Sequence, residues 1–186
     1  QCEAFLADRG AKTIHGGPVR QVSPFYLGLY GGAELPGVLD SDTVSRQLYA
    51  ANGYKIVDRT LIYRRDLSGF RPPVDRRQVQ FRRQMIVEVI SDLPPSDWWE
   101  ASTTGDFELT RFYLVPRGKS AAVAAVTVRD IGSTSTSRPG RVAGIMDVQV
   151  DPAHRRQGLA THLLHESLRQ LSQQGVIQVE GHASEK

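Results

Sequence analysis

Arg155, Arg156 and Gly158 have the residue types and the spacing of a phosphate-binding turn. They stand where a helix is expected to begin, and the first turn of a helix has N–H groups without intrahelical acceptors at the positive end of its dipole. Gly158 lacks a Cβ, so an anion can approach the backbone closely, while the arginines can add charge-assisted hydrogen bonds. Ala160 has only a methyl side chain, so it also leaves the backbone of the next turn accessible. These residues predict a site for a diphosphate.

The flanking residues predict the elements that would position this turn. Residues 148–150 alternate as in a strand, Asp151 and the following proline end it, and from Gln157 onward apolar residues recur at helical spacing. The apolar stripe consists of Leu159, Leu163, Leu164, Leu168 and Leu171. A second β-type run follows at 176–180. The pattern therefore predicts a strand, a turn, an amphipathic helix packed on a sheet, and a further strand.

This turn resembles the signature of the GNAT superfamily of N-acetyltransferases, which reads Gln or Arg, two residues, Gly, one residue, and Gly or Ala. Arg155, Gly158 and Ala160 fill it. The resemblance implies acetyl-CoA as cosubstrate, with the strand edge beside the pantetheine arm and the loop around the diphosphate. The binding residues it implies are Val148, Val150, Arg155, Arg156, Gln157, Gly158, Leu159 and Ala160. An ordinary strand-helix-strand unit with glycine at the helix start is the alternative.

The resemblance also implies an α/β fold, with a mixed, mostly antiparallel GNAT-type sheet flanked by helices. The strands that its front part requires are predicted at 84–90, 107–115, 121–128 and 145–150. The polar segment 131–140 is predicted to be a loop. Trp98 and Trp99 either cover the core or line a substrate cleft.

A second, earlier passage predicts a tandem organisation. A predicted helix over 3–10 and a predicted strand over 11–15 resemble the helix, glycine and strand around Gly175, near the other end of the chain. Residues 42–54 resemble the helix that follows in GNAT proteins, and 57–63 the closing strand.

We therefore expect three segments in the chain. Residues 1–67 would be the C-terminal half of one GNAT module, 68–78 a linker, and 79–186 the N-terminal part of a second module. The chain is expected to be truncated at both ends or circularly permuted. In a permuted arrangement the two parts would close into one site, and otherwise they would be two incomplete modules.

The resemblance implies transfer of an acetyl group to a primary amine by direct attack on the thioester. Asp147, Glu180 and His182 are candidates for the base that leaves the amine neutral, or they are ordinary strand and surface residues. Tyr49 matches the family position that protonates the departing thiolate, or it packs half-buried with its hydroxyl in water. The alternative function is a non-catalytic acetyl-CoA-binding or structural piece of a tandem protein.

Composition sets the remaining expectations. The chain has 186 residues, a net charge of +3 and one cysteine, Cys2, with no stretch long enough for a membrane span. We expect a cytoplasmic enzyme with a small-molecule or peptide amine as partner, no metal, no nucleic acid or membrane partner, and a possible homodimer. The arginine-rich segment 64–77 reads as a solvated connector, with nucleic-acid binding as the weaker interpretation.

Overall fold

The computed structural model describes residues 2–14, 38–92, 94, 108–131 and 140–185. The chain divides into two compact units, Gln1–Thr60 with Ser184–Lys186, and Leu61–Ala183. His15, the tryptophan pair 98–99 and most of the loop predicted at 131–140 lie outside the described residues. Within the described ranges, no helix is long and apolar enough to cross a membrane.

The first unit contains two of the predicted helices, α1 (Cys2–Asp8) and α2 (Thr43–Ala51). The side chain of Asp42 caps α2 by accepting hydrogen bonds from the hydroxyl of Ser45 at 2.6 Å and from its N–H at 3.0 Å. These bonds lower the pKa of Asp42. The strand predicted at 11–15 is wrong for its described part, because residues 11–14 form no strand. A β-type sequence without a ladder partner has no hydrogen bonds to hold it extended.

The second unit is built on one mixed sheet that contains β1 (Thr60–Asp66), β2 (Met85–Ser91), β3 (Leu109–Pro116), β4 (Ala124–Asp130), β5 (Arg141–Val150) and β6 (Val176–Ser184). The strand order is β1-β6-β5-β4-β3-β2. Strands β2 to β5 pair antiparallel, whereas β5 and β6 pair parallel, as the crossover helix between them requires. The α/β fold class with a mostly antiparallel sheet is confirmed.

Helix α4 (Leu159–Gln173) places the leucine stripe on this sheet. Leu163 is fully buried, and so are Phe112 and Val126 on the sheet face beneath it. The core also includes Leu114, Ala143, Leu159, Leu168, Leu171 and Val179, with Leu164 packed at its margin. The helix predicted from the 3.6-residue spacing is therefore confirmed, together with the face that it buries.

Strand β1, which ends just before the segment predicted as a linker, belongs to the same sheet. Leu67, directly after β1, is fully buried, and its N–H donates to the carbonyl of Ile177 at 2.8 Å. Its own carbonyl accepts a hydrogen bond from the Ser172 hydroxyl at 2.9 Å. Helix α3 (Arg76–Gln84) then begins inside the segment predicted as a linker. It begins there because Asp75 accepts from the N–H of Gln78 at 2.7 Å.

Ser172→Ala tests whether the Leu67 contact contributes to stability. Loss of the hydroxyl is expected to reduce the free energy of unfolding by about 1 kcal/mol, because it removes one hydrogen bond to a part-buried carbonyl. Urea denaturation measures the change. Ser68→Ala removes an exposed hydroxyl from the same connector and is expected to unfold like the parent. Equal stability of the two variants would contradict the prediction.

Candidate functional site

The turn between β5 and α4 uses the left-handed backbone region twice. After Val150, the side chain of Asp151 accepts from the N–H of Ala153 at 2.8 Å and starts a 3-10 turn. Arg156 then has a φ of 59° and Gly158 a φ of 83°. Glycine is the residue that adopts this conformation without a Cβ clash. The sequence signature therefore corresponds to a real backbone requirement.

Helix α4 begins with its N–H groups uncapped by any side chain. Gly158 is the N-cap residue and provides no side-chain hydrogen bond. The first intrahelical bond that the helix start accepts runs from the N–H of His162 to the carbonyl of Gly158, at 3.0 Å. The N–H groups from Gly158 to Thr161 precede that bond and have no intrahelical acceptor. This end of the helix suits an anion.

Strand β5 separates from β6 just before this turn. Its ladder with β6 covers Arg141 to Ile145, whereas its ladder with β4 continues to Val150. The separation coincides with a β-bulge, since Ile145 and Asp147 pair with adjacent residues of β4 and leave Met146 extra. Among the described strands, none pairs with β5 beyond Ile145 on the β6 side. The result is a strand edge open along its last five residues.

The main-chain groups of successive β5 residues point alternately to the two sides of the strand, and this alternation shows which residues face the open edge. The N–H of Asp151 donates to the carbonyl of Val123, on the β4 side, at 2.9 Å. Alternate residues of an antiparallel strand share one direction, so Gln149 also faces β4. Val148 and Val150 therefore turn their N–H and C=O groups to the open side. In agreement, the carbonyl of Val150 accepts from Nε of Arg155 at 3.1 Å.

An open cleft of about 540 Å³ lies beside this edge. It is lined by Val148, Gln149, Val150, Asp151, Pro152, Arg155 and Ala160. Four of the residues proposed for cofactor binding thus share one cleft. Gln157 instead donates to the carbonyl of Ala153 at 3.3 Å, and the side chain of Leu159 is buried in the core. Leu159 can contribute only its main chain to the cleft.

Glu180 is a buried carboxylate between two basic side chains. It is 6% exposed, and it accepts from Nε of Arg64 at 2.7 Å. Its other oxygen lies 3.0 Å from Nε2 of His182, whose side chain is also buried. Glu180 stands opposite Gly144 in the last part of the β5–β6 ladder, and His182 follows the last paired residue. Both side chains therefore stand where the two strands part.

The other two catalytic candidates have different surroundings. Asp147 is half-buried on β5 and pairs with Thr127 of β4, on the side of the strand away from β6. Tyr49 lies in α2 of the other compact unit, half-buried, with its ring edge-on to Tyr54 at 5.0 Å between centroids. The catalytic roles of both residues stay predictions.

Comparison with known families decides the assignment. The model of the acetyltransferase (GNAT) family matches residues 79–185, more than half of the chain. The chain belongs to the GNAT acetyltransferase family. The match contains the turn, helix α4 and both parted strands. A search of curated proteins finds no match.

Solved GNAT structures share the fold at low sequence identity. The chain is similar to a tandem GNAT protein from the clavulanic acid biosynthesis pathway, with a TM-score of 0.53, 16% identity and coverage of 82% of this chain and 54% of that one. The chain is also similar to a GCN5-related N-acetyltransferase from Sphaerobacter thermophilus, with a TM-score of 0.51, 17% identity and coverage of 80% of this chain and 50% of that one. A third similar structure is a GCN5-related glucosamine N-acetyltransferase region of a fungal multi-domain β-N-acetylglucosaminidase. Its TM-score is 0.54 at 16% identity, and the match covers 81% of this chain and 23% of that one. The chain spans about half the length of the first two structures.

Helix α3 packs on α4 of this GNAT fold, a contact that the sequence analysis missed. Gln78 is buried, and its side-chain oxygen lies 2.6 Å from Nδ1 of His162. Glu166, 7% exposed, accepts from Arg82 and from Arg169, both at 2.9 Å. Burial raises the pKa of Glu166, but the hydrogen bonds and charges of the two arginines outweigh it and leave the pKa lowered. The available signal was Asp75, an N-cap residue type followed three positions later by Gln78.

Two histidines of α4, the buried His162 and the half-buried His165, predict a pH dependence of stability. Burial lowers the pKa of both His162 and His165 below the usual histidine value of 6.5. The unfolded chain therefore binds more protons below about pH 6.5, so stability is full above that pH and falls as pH falls through the folded pKa. We expect the melting temperature to decrease between pH 7.5 and 5.5, and to decrease less in His162→Gln. A melting temperature that rises toward pH 5.5 would contradict this.

Proposed function

We propose that this GNAT chain transfers an acetyl group from acetyl-CoA to a primary amine by direct attack on the thioester. The observation that carries the proposal is the open edge of β5, which leads directly into the uncapped N-terminus of α4. Along the chain the two features give a row of main-chain donors and acceptors, in which the carbonyl of Val150 already accepts from Arg155. An extended chain with amides at one end and a diphosphate at the other fits that row.

Acetyl-CoA would bind with its pantetheine amides along Val148 and Val150 and with its diphosphate at the turn. The edge groups of the strand would extend the sheet by pairing with the amides, as peptides do at a free strand edge. Arg155 and Arg156 would add charge-assisted hydrogen bonds to the phosphates. Binding of the remote nucleotide then holds the thioester carbonyl in place for attack.

The acceptor amine would lose its proton to a group between the parted strands. Glu180 is the leading candidate, either acting directly or holding His182 in position as the base. The amine nitrogen forms a bond to the acetyl carbon, the carbon–sulfur bond breaks, and the amine proton goes to the base. The thiolate leaves with the bonding electrons and takes a proton from Tyr49 or from solvent. Asp147 is the second candidate base.

A non-catalytic acetyl-CoA-binding piece of a tandem protein is the second candidate function. It is favoured by the location of Tyr49 in a different compact unit from the turn, and by the length of the similar tandem structure, of which the chain covers 54%. Both candidates share the donor site. They differ only in turnover.

Thiol release separates the two functions. The full chain is incubated with acetyl-CoA and a panel of small-molecule and peptide amines, and the free thiol is followed with a chromogenic reagent. Amine-dependent release supports the transferase, and binding of acetyl-CoA without release supports the non-catalytic piece. Equal rates for the parent and Tyr49→Phe would remove Tyr49 from the mechanism. A melting temperature that acetyl-CoA leaves unchanged would refute the donor site itself.

A further inference from the structure

Helices α3 and α4 lie side by side and run in the same direction. The Gln78–His162 and Arg82–Glu166 contacts both join residues separated by 84 positions. A constant separation means that the two helices advance together along their length. The N-terminal ends of both helices therefore lie at the same side of the unit, next to the turn that contains Gly158.

Arg77, in the first turn of α3, stands directly against this turn. A Cβ built on Gly158 would lie 3.7 Å from Cδ and 3.8 Å from Nη1 of Arg77. The guanidinium is thus a few ångströms from the first N–H groups of α4. It approaches them from α3, whereas the loop arginines Arg155 and Arg156 precede them in the chain.

The surroundings of Arg77 contrast with those of the structural arginine on the same helix. Arg82 pairs with the buried carboxylate of Glu166 at 2.8 Å and ties α3 to α4. Arg77 is exposed, and in the described part of the chain it has no hydrogen bond or ion pair. The nearby carboxylate of Asp75 caps its own helix through the N–H of Gln78. No hydrogen bond or ion pair with the described residues therefore accounts for the position of the Arg77 side chain.

Arg77 also lies outside the segment that the family model matches. The GNAT match begins at residue 79, and the signature residues all follow Val148. Only the packing of α3 on α4 brings this side chain to the turn. This positive charge therefore comes from a residue outside the part of the chain that the family model matches.

We propose that Arg77 binds a phosphate group of the acyl donor beside the first turn of α4. The inference rests on the proposed donor site. A guanidinium can donate two parallel hydrogen bonds to one phosphate, and the adjacent N-terminus of α4 favours the same anion. The phosphate is either the diphosphate or the 3′-phosphate of coenzyme A, since both carry oxygens of the required geometry.

Calorimetric titration of acetyl-CoA into the parent and three variants tests the role of Arg77. Arg77→Ala is expected to weaken binding by about tenfold or more and Arg77→Lys by less, because lysine keeps the charge but loses the paired donors. Arg83→Ala removes another exposed arginine of α3 and is expected to bind within about twofold of the parent. Melting curves without ligand check that all four proteins fold alike.

Repeating the titration with 3′-dephospho-coenzyme A identifies the phosphate. If the Arg77→Ala loss disappears with this probe, the partner is the 3′-phosphate, and if the loss persists, the partner is the diphosphate. Equal affinities of Arg77→Ala and Arg83→Ala for acetyl-CoA would overturn the Arg77 proposal and leave the donor site intact. A parent that does not bind acetyl-CoA would refute the donor site.

Discussion

Replacing Gly158 with glutamate is expected to weaken acetyl-CoA binding by at least about a hundredfold, through strain and charge together. The φ of 83° would place a side-chain residue in the left-handed region, which costs about 1–2 kcal/mol. The new side chain would start beside Arg77 and bring a carboxylate to the anion site, where it would repel the diphosphate. The measurement is the rise in melting temperature on addition of acetyl-CoA, which should vanish.

Gly175→Glu is the matched control for this experiment. Gly175 has a φ of 86° and follows the other end of α4, and a Cβ added to it would have nothing within 4 Å. The substitution therefore introduces the same backbone strain and the same charge away from the turn. We expect both variants to melt below the parent, but only Gly175→Glu to be stabilised by acetyl-CoA. A preserved ligand effect in Gly158→Glu would count against the donor site.

Glu180→Gln is expected to lower kcat by about 10²–10⁴-fold, the usual contribution of a positioned base. Glutamine keeps the size of the side chain and can still bond to Arg64 and His182, but it cannot accept a proton or stabilise a charged imidazole. Because Arg64 is largely exposed, its charge remains solvated in the variant and the fold should persist. Thiol release under saturating acetyl-CoA measures kcat, and calorimetry should show unchanged donor affinity.

Three further variants assign the role of the Glu180 pair. If His182 is the base and Glu180 holds it, His182→Gln should lose as much activity as Glu180→Gln, and the pH dependence of kcat should change in both. If Glu180 acts directly, His182→Gln should retain most of its activity. Glu88→Gln, at an exposed carboxylate of β2, should match the parent. A full rate in Glu180→Gln together with a loss in Asp147→Asn would move the role to Asp147.

Local patterns predicted most of the sheet and the helix that crosses it. The leucine stripe of α4 and the alternation along β5 are set by neighbouring residues, so the 3.6-residue and two-residue periods identify them directly. The strand predicted at 145–150 begins earlier, at Arg141, because its first half is stabilised by ladders on both sides. The strand predicted at 11–15 does not form over 11–14, since alternation alone provides no ladder partner.

Part of the candidate site could likewise be predicted from local sequence, and part of it could not. The turn with Arg155 and Gly158 could be identified from sequence because the left-handed glycine, the uncapped helix start and the arginines are all local to it. The open edge of β5 could not, because it depends on a bulge at Met146 and on where β6 leaves the ladder. The ion pair of Glu180 with Arg64 likewise joins residues separated by 116 positions in the chain.

By itself, the sequence determined the family signature, the strand-turn-helix unit and the identity of the groups that can bind an anion. These follow from residue types within a short window, where backbone sterics and helix periodicity act. Tertiary structure alone decided that β1 joins the sheet beside β6, that Glu180 is buried between Arg64 and His182, and that Arg77 reaches the turn from α3. Each of these depends on packing between distant segments, and no local pattern encodes which distant segment a side chain will meet.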